Sequence, residues 1–260
     1  MKKWIGILAT LAVLPGSAWS EATPEARKWL ETMVDIYDRA PLSADFQLTI
    51  APTSGMPMSG TANGKLFLKD RKHQRVEMTM TMGAGGTGQS MEIEMLSVTD
   101  GQDTWTEMNM GMGKQVIKFS LEDAEKMTAA GGMGLSMNAM DPVAQIEQLT
   151  RAMDVEFVSV KGGEVTLSAK MTEKARAAMG NAPLPADGVM TLVLDEKSGY
   201  PIRMTYGGDQ PMMKLETTRF DFIAESELPP GAFSYTPPEG VPVVDAKQLM
   251  GMMGQQGNQR

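Results

Sequence analysis

The chain contains no cysteine and one histidine in 260 residues. The first absence excludes a disulfide scaffold, thiolate metal sites, thiol catalysis and an N-terminal lipid-modified cysteine, so the protein is expected to be free rather than anchored. The second leaves His73 without a cysteine or histidine partner for a catalytic dyad or a metal site. It stands in Lys69-Asp70-Arg71-Lys72-His73, which reads as a charged, solvated turn. There is no Gly-x-Ser-x-Gly elbow, no His-Glu-x-x-His and no glycine-rich strand-to-helix phosphate loop. Gly83–Gly88 is glycine-rich but falls between two strand patterns, where no following helix aims its N–H groups at a phosphate. Carboxylate pairs such as Glu92/Glu94 and Glu122/Asp123 read as wet-face residues. No catalytic residue, cofactor or metal ligand is therefore expected, and the chain does not read as an enzyme. Positive charge is also short: 24 basic residues face 32 acidic ones. That balance excludes long-range attraction to nucleic acid or to an anionic membrane surface and leaves a basic partner patch as the electrostatic complement.

Long apolar runs are absent except at the start. Lys2 and Lys3, the run from Trp4 to Leu14 and the small-residue site Ala18-x-Ser20 form a secretory signal peptide over residues 1–20. The run is too short to span a membrane. A short leader with no acidic residue predicts a soluble protein of a bacterial periplasm. Residues 21–245 then read as a single domain and 246–260 as a flexible polar tail.

What the chain has in excess is methionine, 26 residues in all. Met78, Met80 and Met82 alternate with polar residues; so do Met91, Ile93 and Met95, and so do Met108 and Met110. A strand turns successive side chains to opposite faces, so each stretch puts its thioethers on one face and leaves the other wet. Methionine is flexible and polarisable and adapts to variable apolar shapes, which suits a surface for acyl chains. The alternative is that it fills an ordinary core.

Residues Thr23–Ala40 predict an N-terminal helix with Trp29, Met33, Ile36 and Tyr37 on one side, ended by Pro41. Eleven strand patterns follow in two groups. The first comprises Ala44–Ile50, Met58–Leu68, Gln74–Met82, Ser90–Thr99, Thr104–Met108 and Gln115–Phe119. The second comprises Val155–Val160, Glu164–Lys170, Gly188–Asp195, Pro201–Tyr206 and Met212–Ile223. Between the groups, Leu121–Ala130 and Asp141–Met153 predict two helices around a Gly/Met segment, and Thr172–Met179 a shorter one. The predicted fold class is mainly β (α+β): one strongly curved antiparallel sheet or half-barrel of about eleven strands, with an N-terminal helix and a mid-chain helical lid.

Four stretches carry a family resemblance: the helix leading into Asp45-Phe46-Gln47; Gly64-Lys65-Leu66-Phe67-Leu68-Lys69 with Arg71 after it; Asp100-Gly101-Gln102-Asp103-Thr104-Trp105 with Gln115-Val116 downstream; and Phe233-Ser234-Tyr235-Thr236-Pro237-Pro238-Glu239-Gly240-Val241 running on to Asp245. Together they resemble the LolA/LolB-like lipoprotein-carrier superfamily, which includes the RseB-type sensors. The chain departs from the pattern in its higher Met and Gly content and in Gln74–Met82, which lacks the aromatic and proline residues usual there. The resemblance implies a half-barrel with a helical lid around a cofactor-free apolar cavity, with Arg71 loosely matching a functional arginine.

The candidate lipid-binding face is accordingly Met78, Met80, Met82, Met91, Ile93, Met95, Trp105, Met108 and Met110. Met133, Met137 and Met140 are lid candidates, and Arg71 is a polar contact. The expected partners are a lipid or lipoprotein acyl chain, in outer-membrane lipoprotein sorting, and an inner- or outer-membrane envelope protein; a monomer without nucleic acid is expected. Two alternatives stand beside the carrier. One is a protein-interaction or stress-sensor module of the RseB kind. The other is Cu(I) binding through the Met clusters, including Met250, Met252 and Met253, although thioethers there have no histidine or cysteine to support them.

Overall fold

The computed structural model describes residues 22–52, 58–84, 90–111, 113–121, 150, 153–173, 188–208 and 211–245. Helix α1 (Pro24–Val34) starts at Thr23, whose hydroxyl accepts the Ala26 N–H at 3.3 Å, with Pro24 in the first turn. Where one helix to Ala40 is expected, a turn at Asp35 divides it, and a short α2 (Ile36–Arg39) follows. Ala26, Leu30, Met33, Ile36 and Tyr37 are its buried residues.

Among the described residues twelve strands follow. They are β1 (Leu42–Ile50), β2 (Met58–Asp70), β3 (His73–Ala84), β4 (Ser90–Asp100), β5 (Asp103–Asn109) and β6 (Lys114–Ser120), then β7 (Met153–Lys161), β8 (Glu164–Met171), β9 (Val189–Asp195), β10 (Pro201–Tyr206), β11 (Met213–Phe222) and β12 (Val243–Asp245). All eleven expected strands form, within a few residues of their predicted bounds. The short β12 was not expected; it pairs parallel with β6, whereas every other neighbour is antiparallel.

The strands form one sheet in the order β12-β6-β5-β4-β3-β2-β1-β11-β10-β9-β8-β7. The crossing between sequence halves is the β1–β11 pair, with Leu42 opposite Phe222 and Ile50 opposite Met213. Six strand spacings separate β2 from β7, roughly 29 Å on a flat sheet. Yet α1 touches β7 and α2 touches β2. The sheet therefore curls around the helices, as an open sheet of this size must, and its ends do not close. One core lies on the helix side: Leu42, Ala44 and Phe46 of β1, Leu66 and Leu68 of β2, Val165 and Leu167 of β8, Leu192 and Leu194 of β9, with Leu30, Met33 and Ile36 over them. The N-terminus is fixed to the sheet edge by the Thr23 N–H, which donates to the Val155 carbonyl at 3.0 Å.

The expected signal peptide, the tail 246–260 and nearly all of the mid-chain helical and Gly/Met segments lie outside the described residues. So do the lid candidates Met133, Met137 and Met140.

Candidate functional site

Strand register decides which methionines meet. Met78 lies directly opposite Met95, and Met95 opposite Met108; Met80 faces Ile93, and Met82 faces Met91. Directly opposed residues share a face and have Cβ atoms about 4.5–5.5 Å apart, so strands β3 to β5 present a continuous field of thioethers. It is the core face, because Val76 and Met78 belong to the same cluster as the helices, and Met80 and Met95 pack against it.

The face continues across strands that the sequence did not single out. The Met80 row extends through Ala62 of β2 and Leu48 of β1 to Leu215 and Met204. The Met82 row extends through Gly60 and Ile50 to Met213 and Tyr206. Opposite Met78, Met80 and Met82, then, β2 carries only Gly64, Ala62 and Gly60. These small residues form a low row, a trough in the backbone surface between the bulkier β1 and β3, and the Met82 side chain lies over Gly60, its Sδ 3.3 Å from where a Cβ would stand. At the closed end of the trough the Phe46 ring fills the space over Gly64, where an added Cβ would stand 2.2 Å from the ring.

Exposure changes steadily along the strands. Met78 is 8% exposed, Met80, Met82, Ile93, Met95 and Met108 are half-buried, and Met91 is 41% exposed. The face is thus packed beside the helices and reaches solvent toward the Met82–Met91 end. Met110 is half-buried just beyond β5.

Two candidates are not brought to this face. Trp105 pairs with Val98 and Lys118, which puts it three residues, an odd number, from Met108 and on the opposite face of the sheet. There it lies against the Tyr235 ring at 5.7 Å, with the Lys118 ammonium over it at 4.8 Å, and its indole N–H donates to Asp100 Oδ2 at 3.1 Å. Arg71 occupies the β2–β3 turn, its guanidinium 4.4 Å from the Tyr37 ring centre. Nine strand residues separate that turn from Met82, roughly 30 Å. Arg71 therefore belongs to the closed end, a strand's length from the Met82–Met91 pair.

The Asp-Gly-x-x-x-Trp stretch is a folding device. Burial pushes the Asp100 carboxyl pKa up, but the Asp103 and Gln102 N–H groups, at 2.8 and 2.9 Å, and the Trp105 indole together hold it below the usual range. Gly101 has φ +95, and the His73 ring sits where its side chain would be, 2.9 Å from an ideal Cβ. His73 Nδ1 in turn meets both Asp70 carboxylate oxygens at 2.9 Å, and its ring stands edge-on to Phe233. The histidine joins three turns and segments.

The C-terminal Phe-x-x-x-Pro-Pro stretch straps this outer face. The Arg75 guanidinium donates to the Ala232 carbonyl at 3.4 Å, Tyr235 donates to Glu107 at 2.8 Å, and β12 closes onto β6. Val98 and Val116 are fully buried on this side. A hollow of about 260 Å³ lies beside the strap, lined by Arg75, Glu77, Thr79, Glu94, Leu96, Glu107 and Asn109, with Met78 and Met95 of the methionine rows also contributing to its wall. Its acids have partners within the fold: Arg75 for Glu77 at 2.7 Å, Asn109 for Glu94 at 3.0 Å, and Lys114 for Glu107 at 2.6 Å. The Lys114 bond foremost, with Tyr235 adding to it against the opposing effect of burial, holds the Glu107 carboxyl below the ordinary range. Burial first, and Glu107 second, pushes the Tyr235 phenol well above its ordinary value.

Among the described residues no group of three or more His, Cys, Asp or Glu side chains converges on a metal position, and no helix is long and apolar enough to cross a membrane. No protein-family model matches the chain, and no curated protein matches it in sequence. Among solved structures it is similar to LprF from Mycobacterium bovis, with 13% identity over 78% of this chain and 95% of that one, TM-score 0.44. It is also similar to MucB, with 17% identity over 83% of this chain and 69% of that one, TM-score 0.40. A DUF1329 family protein from Desulfovibrio piger has 12% identity over 82% of this chain and 98% of that one, TM-score 0.33.

Proposed function

We infer that this protein is a periplasmic carrier that holds a lipid or lipoprotein acyl chain along the trough between β1 and β3, under Met80, Met82, Met91, Ile93 and Met95. The observation that carries the reading is the graded exposure of one apolar face. The same rows that are sealed beside α1 and α2 reach solvent at the other end, without a charged side chain in the opposed positions. Small residues on β2 leave depth for a chain when the Met82 side chain, which lies over Gly60, swings aside, and methionines on β3 and β4 can adapt to its shape. Each buried methylene contributes about 0.8 kcal/mol, so one long acyl chain supplies useful affinity without polar recognition. That fits a site whose polar candidate, Arg71, is engaged elsewhere. Neither a catalytic constellation nor a cofactor enters this reading.

Native mass spectrometry of protein purified from its own cells tests it. Adducts that extract as lipids are expected. Uniformly empty protein that also fails to take up a fluorescent fatty acid overturns the reading.

A further inference from the structure

Aliphatic and thioether side chains divide the inner face unevenly. Where the helices cover it, strands contribute Leu42, Leu66, Leu68, Val165, Leu192 and Leu194, each no more than 1% exposed, together with the buried Met153, Met190 and Met204. Where it reaches solvent on β3 and β4, Met80, Met82, Met91 and Met95 dominate, with Ile93 the aliphatic exception. Leucine would serve burial equally well. Besides its flexibility, a thioether has one reaction that leucine lacks, oxidation to the sulfoxide, which needs access to the sulfur.

Among the described residues of this face, access is greatest at one cross-strand pair. Met91 is 41% exposed, and its direct partner Met82 is half-buried beside it. Deeper on the face, Met78 is 8% exposed. Met33, Met153, Met190 and Met204 are exposed by 4% or less, so the fold supplies its own protected reference methionines.

We propose that Met82 and Met91 are an oxidation site, and that their conversion to sulfoxides switches the open face from apolar to polar and releases its cargo. This rests on the acyl-binding reading above. The oxidant is a peroxide. The sulfur lone pair attacks one peroxide oxygen, the O–O bond breaks and an S–O bond forms. Sulfur loses two electrons, and the second oxygen leaves with both peroxide protons as water. The product is a polar group on the wall that an acyl chain must cover, and an unpartnered polar group resists such burial. Sulfoxide reductases reverse the change, one enzyme for each epimer.

The test uses the whole secreted protein and dansyl-labelled undecanoic acid as probe. Hydrogen peroxide is added in steps; peptide mass spectrometry locates the oxygen, and probe affinity is measured at each step. Among the methionines of the described residues, Met82 and Met91 are expected to oxidise first, with Met33, Met153, Met190 and Met204 unmodified while circular dichroism stays native. Affinity is expected to fall about tenfold and to return after treatment with both reductases and a dithiol. A Met82→Leu/Met91→Leu variant, nearly volume-conserving, sets its own baseline for the probe, and that affinity should not change on peroxide treatment. Three results overturn the proposal: buried methionines oxidising as fast as Met91, affinity unchanged within about twofold after both sites are oxidised, or the double variant losing affinity as the parent does. If the untreated protein does not bind the probe, the acyl-binding reading has failed and this one with it. If it binds and continues to bind when oxidised, only the switch is wrong.

Discussion

Replacing Gly64 with alanine adds one methyl group at the tightest approach on the inner face. An ideal Cβ there stands 2.2, 2.5 and 2.7 Å from the Cζ, Cε2 and Cε1 atoms of Phe46, a residue that is 6% exposed. Real Cβ contacts do not come below 3.0 Å, so the ring must move by more than half an ångström or leave its place. Phe46 cannot slide sideways without disturbing β1, where the register already shifts between Asp45 and Phe46 against β11. If the ring stays, the overpacking costs roughly 1–3 kcal/mol. If it swings out, its lost burial costs a similar 1.5–3 kcal/mol. Either way Gly64→Ala should lose about 1.5–3 kcal/mol in urea unfolding, with its slope unchanged. Phe46→Leu removes the far ring atoms that cause the clash. Adding Gly64→Ala to it should then cost under about 1 kcal/mol, giving a coupling of at least about 0.5 kcal/mol in the double-mutant cycle. Additive losses, or a Gly64→Ala protein as stable as the parent, would refute the packing described for the closed end of the trough.

Three further outcomes follow from the same geometry. Gly101→Ala should cost about 1–2 kcal/mol in thermal unfolding, because φ +95 disfavours a side chain and the His73 ring occupies its space; an unchanged melting temperature contradicts that. Tyr235→Phe removes the bond to Glu107 and should cost about 1–2 kcal/mol near neutral pH. Because the folded Glu107 pKa lies below its unfolded value, the stability it contributes is complete above the ordinary glutamate range and is lost as pH falls through the folded value. Denaturation between pH 7 and 3 should therefore show the Tyr235→Phe deficit shrinking with acid, and a deficit independent of pH would contradict the linkage. Met78→Glu should cost several kcal/mol, since its position is sealed, and should yield little soluble protein; a stable, soluble Met78→Glu protein would mean that this row is open.

The alternation of β3 and β4 was enough to put Met78, Met80, Met82, Met91, Ile93 and Met95 on common faces, because a period of two leaves no other option once the segments are extended. Their meeting row by row depends on register, and the Gly60, Ala62 and Gly64 trough opposite them emerges only when β2 is paired. Trp105 shows a signal that was present and unused. It stands an odd number of residues from Met108 within one strand, which already assigns it to the other face. Arg71 was a family-level expectation, and strand length separates it from the open end. The turn at Asp35 and the parallel strand β12 have weak local signatures. Asp35 keeps right-handed helical angles, and Val243-Val244-Asp245 follows a proline-rich stretch with nothing to announce pairing. The Phe-x-x-x-Pro-Pro motif of the outer strap does not reveal its physical purpose, which depends on strands distant in sequence: it lies over the face that holds Val98, Val116 and Trp105.

The central claim is that the half-buried methionines, and not the outer face, hold an acyl chain. Titration of dansyl-labelled undecanoic acid into the parent, Met80→Glu and Trp105→Ala proteins tests it most directly, with circular dichroism melting on each. Met80 reaches solvent, so a glutamate there can stay hydrated and the fold should survive. The account predicts saturable binding by the parent, a loss of at least about tenfold in folded Met80→Glu, and binding within about twofold of the parent in Trp105→Ala. A folded Met80→Glu protein that binds normally, or binding abolished by Trp105→Ala alone, would contradict it.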